Sequence, residues 1–208
     1  MAWSSDLKRS YPANWTIVKL DSLCKLRNGI NYDKSVMGDH VYKIVNVRNI
    51  TATSLLINEN DCDDIILQQR QGDKYLLSDA DIIIARSGTP GATRLLVHPL
   101  NDVLFCGFII CCTPNLLKYR NYLCCYLKQL EGTSATTTGG SILQNVSQDT
   151  LKRLDIVLPP DDILCRFDDA MTKILVCMDK TMNETRRLIE IRDWLLPMLM
   201  NGQATLAD

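Results

Sequence analysis

The segment of this sequence best equipped for chemistry is Arg86-Ser87-Gly88-Thr89-Pro90-Gly91, with Arg94 just beyond it. It follows a short β-branched run, Asp81–Ala85, bounded by turn residues. A glycine-rich turn after a strand can cradle a phosphate. The nucleotide-binding loop, however, needs a lysine after its last glycine and a helix behind it, and neither signal is present. Two readings stay open. Arg86, Ser87, Thr89 and Arg94 reach DNA phosphates or base edges, or the segment is a plain surface hairpin.

Two more segments carry the same chemistry. Lys25-Leu26-Arg27-Asn28-Gly29-Ile30-Asn31 puts two cations beside an Asn-Gly turn. Lys43-Ile44-Val45-Asn46-Val47-Arg48-Asn49-Ile50 alternates apolar with polar residues. Arg, Lys and Asn are the side chains that read guanine and adenine edges. Each segment alone fits a solvated sheet face equally well. Three of them, each ending in a Gly or Asn turn, suggest one surface.

Other chemistries find little support. The nine cysteines show no Cys-x-x-Cys pair, and His40 and His98 stand alone, so no zinc pattern forms. Reduced thiols packed as small hydrophobes fit better. The acidic stretch Glu59–Asp64 begins like a calcium loop but lacks the later Gly and Glu, leaving a solvated turn. No nucleophile–base–acid set stands out, and no catalytic or metal-binding residue is assigned.

The elements that must position these residues follow from composition and period. The chain has 208 residues, a formal net charge of −1, 46% hydrophobic and 23% charged residues. That is a globular composition, which excludes a disordered tail or a polybasic coat protein. There is no basic-then-apolar leader at Met1 and no apolar run of membrane-spanning length, so a soluble, cytoplasmic chain is expected. Strands are predicted at Ile17–Lys19, Val41–Asn46, Asp81–Ala85, Val103–Cys112 and Asp155–Leu158. A helix is predicted over Leu116–Glu131, stopped by Gly132. Thr133–Gly140 holds only small and polar residues and reads as a loop.

After Pro159-Pro160 the texture changes. Leu164, Phe167, Met171, Ile174, Met178, Thr181, Thr185, Leu188, Arg192 and Leu195 step by three and four, the rhythm of a coiled-coil seam. The spacing predicts one helix of roughly 50 Å, capped by Asp161 or Asp162 and ended or kinked at Pro197. Its apolar stripe requires a partner helix. The fold class is thus α+β, a β-rich domain over residues 1–160 and a pairing helix with its tail over 161–208.

The order of segments resembles the specificity subunit of type I restriction-modification enzymes. The resemblance rests on Trp15, Leu20 and Leu23, Asn28-Gly29, Tyr42–Ile50, Asp81–Gly88 and Gly91. It continues through Tyr122–Leu127, Gly140–Ser147, Leu151, Leu154–Pro160 and the closing Arg192-Asp193-Trp194-Leu195-Leu196-Pro197-Met198-Leu199-Met200-Asn201-Gly202. It implies a target-recognition domain that reads one half of a split site in double-stranded DNA, and a spacer helix. It implies no catalysis and no cofactor in this chain. S-adenosylmethionine and adenine methylation belong to partner methyltransferase subunits, and ATP-driven cleavage to a restriction subunit.

A full subunit of that family has two recognition domains and two helices, whereas this chain has one of each. It is expected to be a half-subunit that dimerises through Phe167, Met171, Ile174, Met178, Leu188 and Leu195 and reads a palindromic, interrupted site. The expected DNA contacts are Lys25, Arg27, Asn28, Lys43, Asn46, Arg48, Arg86, Ser87, Thr89, Arg94, Thr136, Thr137, Thr138, Gln144 and Asn145. The competing classes are a protein-interaction scaffold without DNA readout and a stand-alone nuclease. Salt-sensitive, sequence-selective DNA affinity separates the first from recognition; activity that survives without a partner subunit marks the second.

Overall fold

Short β-branched runs between turn residues become strands because each can bury its side chains against two layers. The computed structural model describes residues 1–4, 9–32, 38–53, 55–96, 101–132 and 145–203. In chain order its elements are β1 (Ala2–Ser4), β2 (Arg9–Tyr11), β3 (Thr16–Lys19), β4 (Cys24–Asn28), β5 (His40–Val45), α1 (Val47–Ala52), β6 (Leu56–Ile57), β7 (Asp63–Leu67) and α2 (Gln69–Gly72). They continue with β8 (Ile82–Ala85), β9 (Thr93–Leu96), β10 (Val103–Phe105), β11 (Ile109–Pro114), α3 (Arg120–Gln129), α4 (Gln148–Lys152), β12 (Asp155–Leu158) and α5 (Asp161–Met200). Two compact units result, Met1–Ala170 and the chain from Met171 onward.

The first unit is built on two sheets. A five-stranded sheet runs β4-β11-β8-β9-β6 and a three-stranded one β10-β5-β7. The main core lies between them, with Tyr42, Ile44 and Val45 of β5 and Phe105 of β10 meeting Ile83, Ala85, Ile109 and Cys111 of the larger sheet. Ile82, Ile84, Ile110 and Cys112 point the other way and are also buried, on the side where α3 crosses β9. That is why β8 reads as an unbroken apolar run, the pattern of a strand covered on both faces. The antiparallel pair β3–β12 leads into α5.

Four expectations need correction. Val103–Cys112 is two strands in different sheets, joined by a turn at Cys106-Gly107-Phe108. The Leu116–Glu131 helix begins with a 3₁₀ turn at Leu117–Tyr119 and is α-helical only over Arg120–Gln129. The long helix starts at Asp161 itself, and the Pro160 carbonyl accepts from the Ile163 and Leu164 N–H groups. Asp161 and Asp162 therefore lie inside its first turn, where their charge suits the helix dipole. The helix also continues through Pro197 to Met200, and the Pro197 carbonyl accepts from Asn201 N–H at 3.0 Å. Proline costs the helix one donor, which the neighbouring turns carry.

The second unit is the body of α5. Ile174, Leu188, Ile189, Leu196 and Leu199 are among its exposed apolar residues. At 100° per residue they fall on one side of the helix. Met171, Met178 and Leu195 are half-exposed on the same side.

Candidate nucleic-acid interface

Strand direction decides where the polar turn residues go. β4, β5, β8 and β10 finish, and β7, β9 and β11 begin, at the same end of the two sheets, as their registers require. That end is laced together by backbone bonds. Cys106 N–H donates to Val45 O at 3.0 Å and Gly107 N–H to Ile30 O at 2.7 Å. Arg86 N–H donates to Phe108 O at 2.8 Å, and Val146 N–H to Arg86 O at 2.9 Å. Gly88 has a φ of 78°, and a Cβ there would come within 2.9 Å of the Val47 side chain at the start of α1. Glycine thus lets the β8–β9 turn lie on the helix that carries Arg48.

These links bring Asn28, Asn46, Arg48, Arg86, Ser87, Thr89 and Asn145 to one end of the domain. Asn28, Arg48, Thr89 and Asn145 are exposed; Asn46, Arg86 and Ser87 are half-buried. Asp63 accepts from Asn46 Nδ2 at 3.0 Å and from Arg48 Nη2. Arg86 reaches only a carbonyl, that of Gly107 at 3.5 Å, and among the described residues it faces no carboxylate.

The other predicted cations are elsewhere. Lys25 is exposed on β4 opposite Thr113, toward the opposite end of the sheet. Lys43 pairs with Asp64 at 3.2 Å. Arg27 donates to Asp81 Oδ2 at 2.9 Å and to Leu76 O at 2.6 Å, and its guanidinium lies 5.1 Å from the Phe105 ring centre. Arg94 is 6% exposed; it donates to Ile50 O, Thr53 O and Thr93 O and pairs with Glu131 at 3.2 Å. Arg27 and Arg94 are therefore internal ties. Cross-strand register puts them in one row, Arg27–Cys111–Ile83–Arg94, on the core side of the sheet. Thr136, Thr137, Thr138 and Gln144 lie outside the described residues, as does His98.

Three residues at the same end were not among the expected contacts. Tyr32 donates to Asn46 Oδ1 at 3.5 Å, Asn31 lies against Gly107, and Phe108 is 62% exposed. The apolar run Val103–Cys112 hid the turn that presents Phe108.

Six of the nine thiols are buried and act as packing groups, Cys125 is half-buried, and Cys165 and Cys177 on α5 are exposed, against the expectation that the thiols pack as small hydrophobes. Burial pushes Cys111 up to about 12 and raises Cys106, so both are neutral at ordinary pH. Among the described residues no cluster of His, Cys, Asp or Glu could hold a metal, and no helix is long and apolar enough to cross a membrane. Of the predicted pairing residues, Phe167 meets Tyr122 edge-on at 5.9 Å within the first unit. Ile174 and Leu188 are 50% and 60% exposed.

The HindI type I restriction enzyme specificity subunit of Haemophilus influenzae is 27% identical to this chain over 128 residues, covering 58% of this chain and 24% of that subunit. The S subunit of a type I restriction-modification system from M. genitalium superposes with a TM-score of 0.55 at 21% identity, over 88% of this chain and 43% of that one. The HsdS subunit from Thermoanaerobacter tengcongensis gives 0.54 at 13% identity, over 94% and 47%. The chain thus spans less than half the length of each of these relatives. The family model for the type I restriction modification DNA specificity domain matches residues 12–192. With that match running through both sheets and most of the long helix, the chain belongs to the type I restriction-modification DNA specificity domain family.

Proposed function

We propose that this chain is the DNA-reading component of a type I restriction-modification complex and that it is itself non-catalytic. Residues 1–160 read one half-site, and the helix from Asp161 sets the spacing to the other. Partner methyltransferase and restriction subunits supply the chemistry. The observation that supports this reading is the gathering of Asn28, Asn46, Arg48, Arg86, Ser87, Thr89 and Asn145 at one end of two sheets, with no carboxylate facing Arg86 among the described residues. Amide and guanidinium groups together read base edges, and rigid strands hold the turns that carry them.

The apolar stripe on α5 fits a symmetric pairing of two copies of this chain through that helix. Two-fold symmetry then calls for a palindromic, interrupted target. The test is selection from a randomised duplex pool by the complex of this chain with its methyltransferase subunit. Enrichment of one split palindrome, with affinity falling steeply as salt rises, is the expected result. Equal recovery of all sequences overturns it. Light scattering tests the pairing: a mass near twice 23.5 kDa is expected, and Ile174→Glu with Leu188→Glu should return it to the monomer value.

A further inference from the structure

Phe108 stands at a central position of a β-turn, where Gly, Asn, Asp and Ser are the usual occupants. Its ring is 62% exposed. The turn beneath it is unusually well held. Ile109 N–H closes it onto Cys106 O at 2.9 Å, Gly107 N–H is tied to Ile30 O, and Phe108 O accepts from Arg86 N–H. Gly29 and Gly107 permit this packing; a Cβ at Gly29 would fall 2.2 Å from Cys106 O, and one at Gly107 1.9 Å from Asn31 Oδ1. An aromatic ring on a fixed backbone loses little freedom on binding, which is what an anchor residue requires.

Its surroundings indicate the partner. Protein-docking faces gather apolar residues into one patch, as on α5. Among the described residues the Phe108 turn instead adjoins Arg86, whose N–H it receives, Asn28, paired with Ile110, and Asn31, against Gly107, a polar and cationic setting of the kind that meets DNA. The one apolar feature that a base pair shows in the major groove is the 5-methyl group of thymine. We propose that Phe108 is a specificity-determining residue that packs on the methyl group of one thymine in the target half-site. This rests on the DNA-reading function proposed above.

The test uses the complex of this chain with its methyltransferase subunit, and randomised duplex pools made with thymine or with deoxyuridine in its place. The wild type should enrich a motif in which one thymine is preferred about fourfold, the worth of one buried methyl group. Phe108→Ala should flatten that position and leave the rest of the motif. The deoxyuridine pool should flatten the same position for the wild type and change nothing further for the variant. Phe108→Leu, which keeps an apolar contact, should restore part of the preference and serves if the alanine variant fails to fold. An unchanged motif in Phe108→Ala, or in Phe108→Leu where only that variant folds, overturns the proposal. So does an even loss at every position with no effect of deoxyuridine, the signature of a wedge between base pairs. If the wild type enriches nothing, the DNA-reading function itself fails and takes this proposal with it, a result distinct from the other two.

Discussion

The two ends of the larger sheet use the same residue types for opposite purposes. At one end Asp81, 3% exposed, gathers Arg27, the Ser78 N–H and the Thr113 hydroxyl. That cluster is satisfied from within the chain. At the other end Arg86 finds, among the described residues, a single carbonyl, and Asn28, Thr89 and Asn145 are exposed. A buried, mutually satisfied cluster fixes the fold; an under-committed cluster on a braced backbone is free to bind. The sharpest contrast is between Arg86 and Arg94, which flank one turn. Arg94 lies one strand position inside β9 with its charge spent on Glu131 and three carbonyls, while Arg86 lies just past the end of β8.

The largest effect should come from breaking the satisfied end. Asp81→Ala takes away the buried acceptor shared by the Arg27 guanidinium, the Ser78 N–H and the Thr113 hydroxyl, and loss of such an acceptor costs about 3 kcal/mol. Urea unfolding should show that loss, while DNA affinity of the folded chain at low urea stays that of the wild type. A stability change below about 1 kcal/mol would mean that the cluster is no tie at all. Arg94→Ala should cost about 2–3 kcal/mol by the same measurement, because the Ile50 and Thr53 carbonyls lose their donor and Glu131 keeps only Lys128 among the described residues.

Gly29→Ala joins the two behaviours. The added Cβ would strike the Cys106 and Phe105 carbonyls, backbone atoms that cannot swing aside. Overpacking of this kind costs about 1–3 kcal/mol. Since the displaced strand carries Asn28 and the displaced turn carries Phe108, stability and DNA selectivity should fall together. Arg86→Ala should separate them. Melting should shift by no more than about 0.5 kcal/mol, while affinity for the cognate duplex drops by about 1–3 kcal/mol if the contact is to a base. Loss of stability equal to that of Arg94→Ala would erase the distinction between the two arginines.

Much of this division was legible in the residues, and the exceptions have physical causes. Gly88 and Gly91 marked the β8–β9 turn, because turn chemistry is local; the turn expected at Asn28-Gly29 is instead the extended passage from β4 to the bridge between Ile30 and Cys106. The long helix was legible because its period holds over many turns. What one strand's sequence cannot state is its register with its neighbours. Register alone puts Arg27 and Arg94 in a row with Cys111 and Ile83 on the core side. The Gly107-Phe108 turn was hidden because β10 and β11 are apolar on both flanks, so the break between two sheets reads as one strand. Asp81 looked like the polar start of a strand, and its role depends on Arg27 and Thr113, which are distant in sequence.

The smallest effect tests whether the open end is wholly uncommitted. Asp63 holds both Arg48 and Asn46, in a pair whose side chains are 64% and 36% exposed. Such a surface pair contributes about 0–1 kcal/mol, so Asp63→Asn should barely move the unfolding midpoint. Its effect on binding has two possible signs, each with a distinct cause. If Arg48 is a phosphate contact that Asp63 merely parks, removing the carboxylate frees a cation and deletes a repulsive charge. Affinity then rises a few-fold and the salt dependence steepens by about one phosphate contact. If Asp63 instead aims Asn46 at a base, selectivity falls at one position of the motif while the salt dependence stays the same. Salt titration of wild type and Asp63→Asn on the selected duplex and on a scrambled one distinguishes these. The first outcome is expected, because Arg48 is the more exposed partner and its bond to Asp63 is one that a phosphate oxygen can replace.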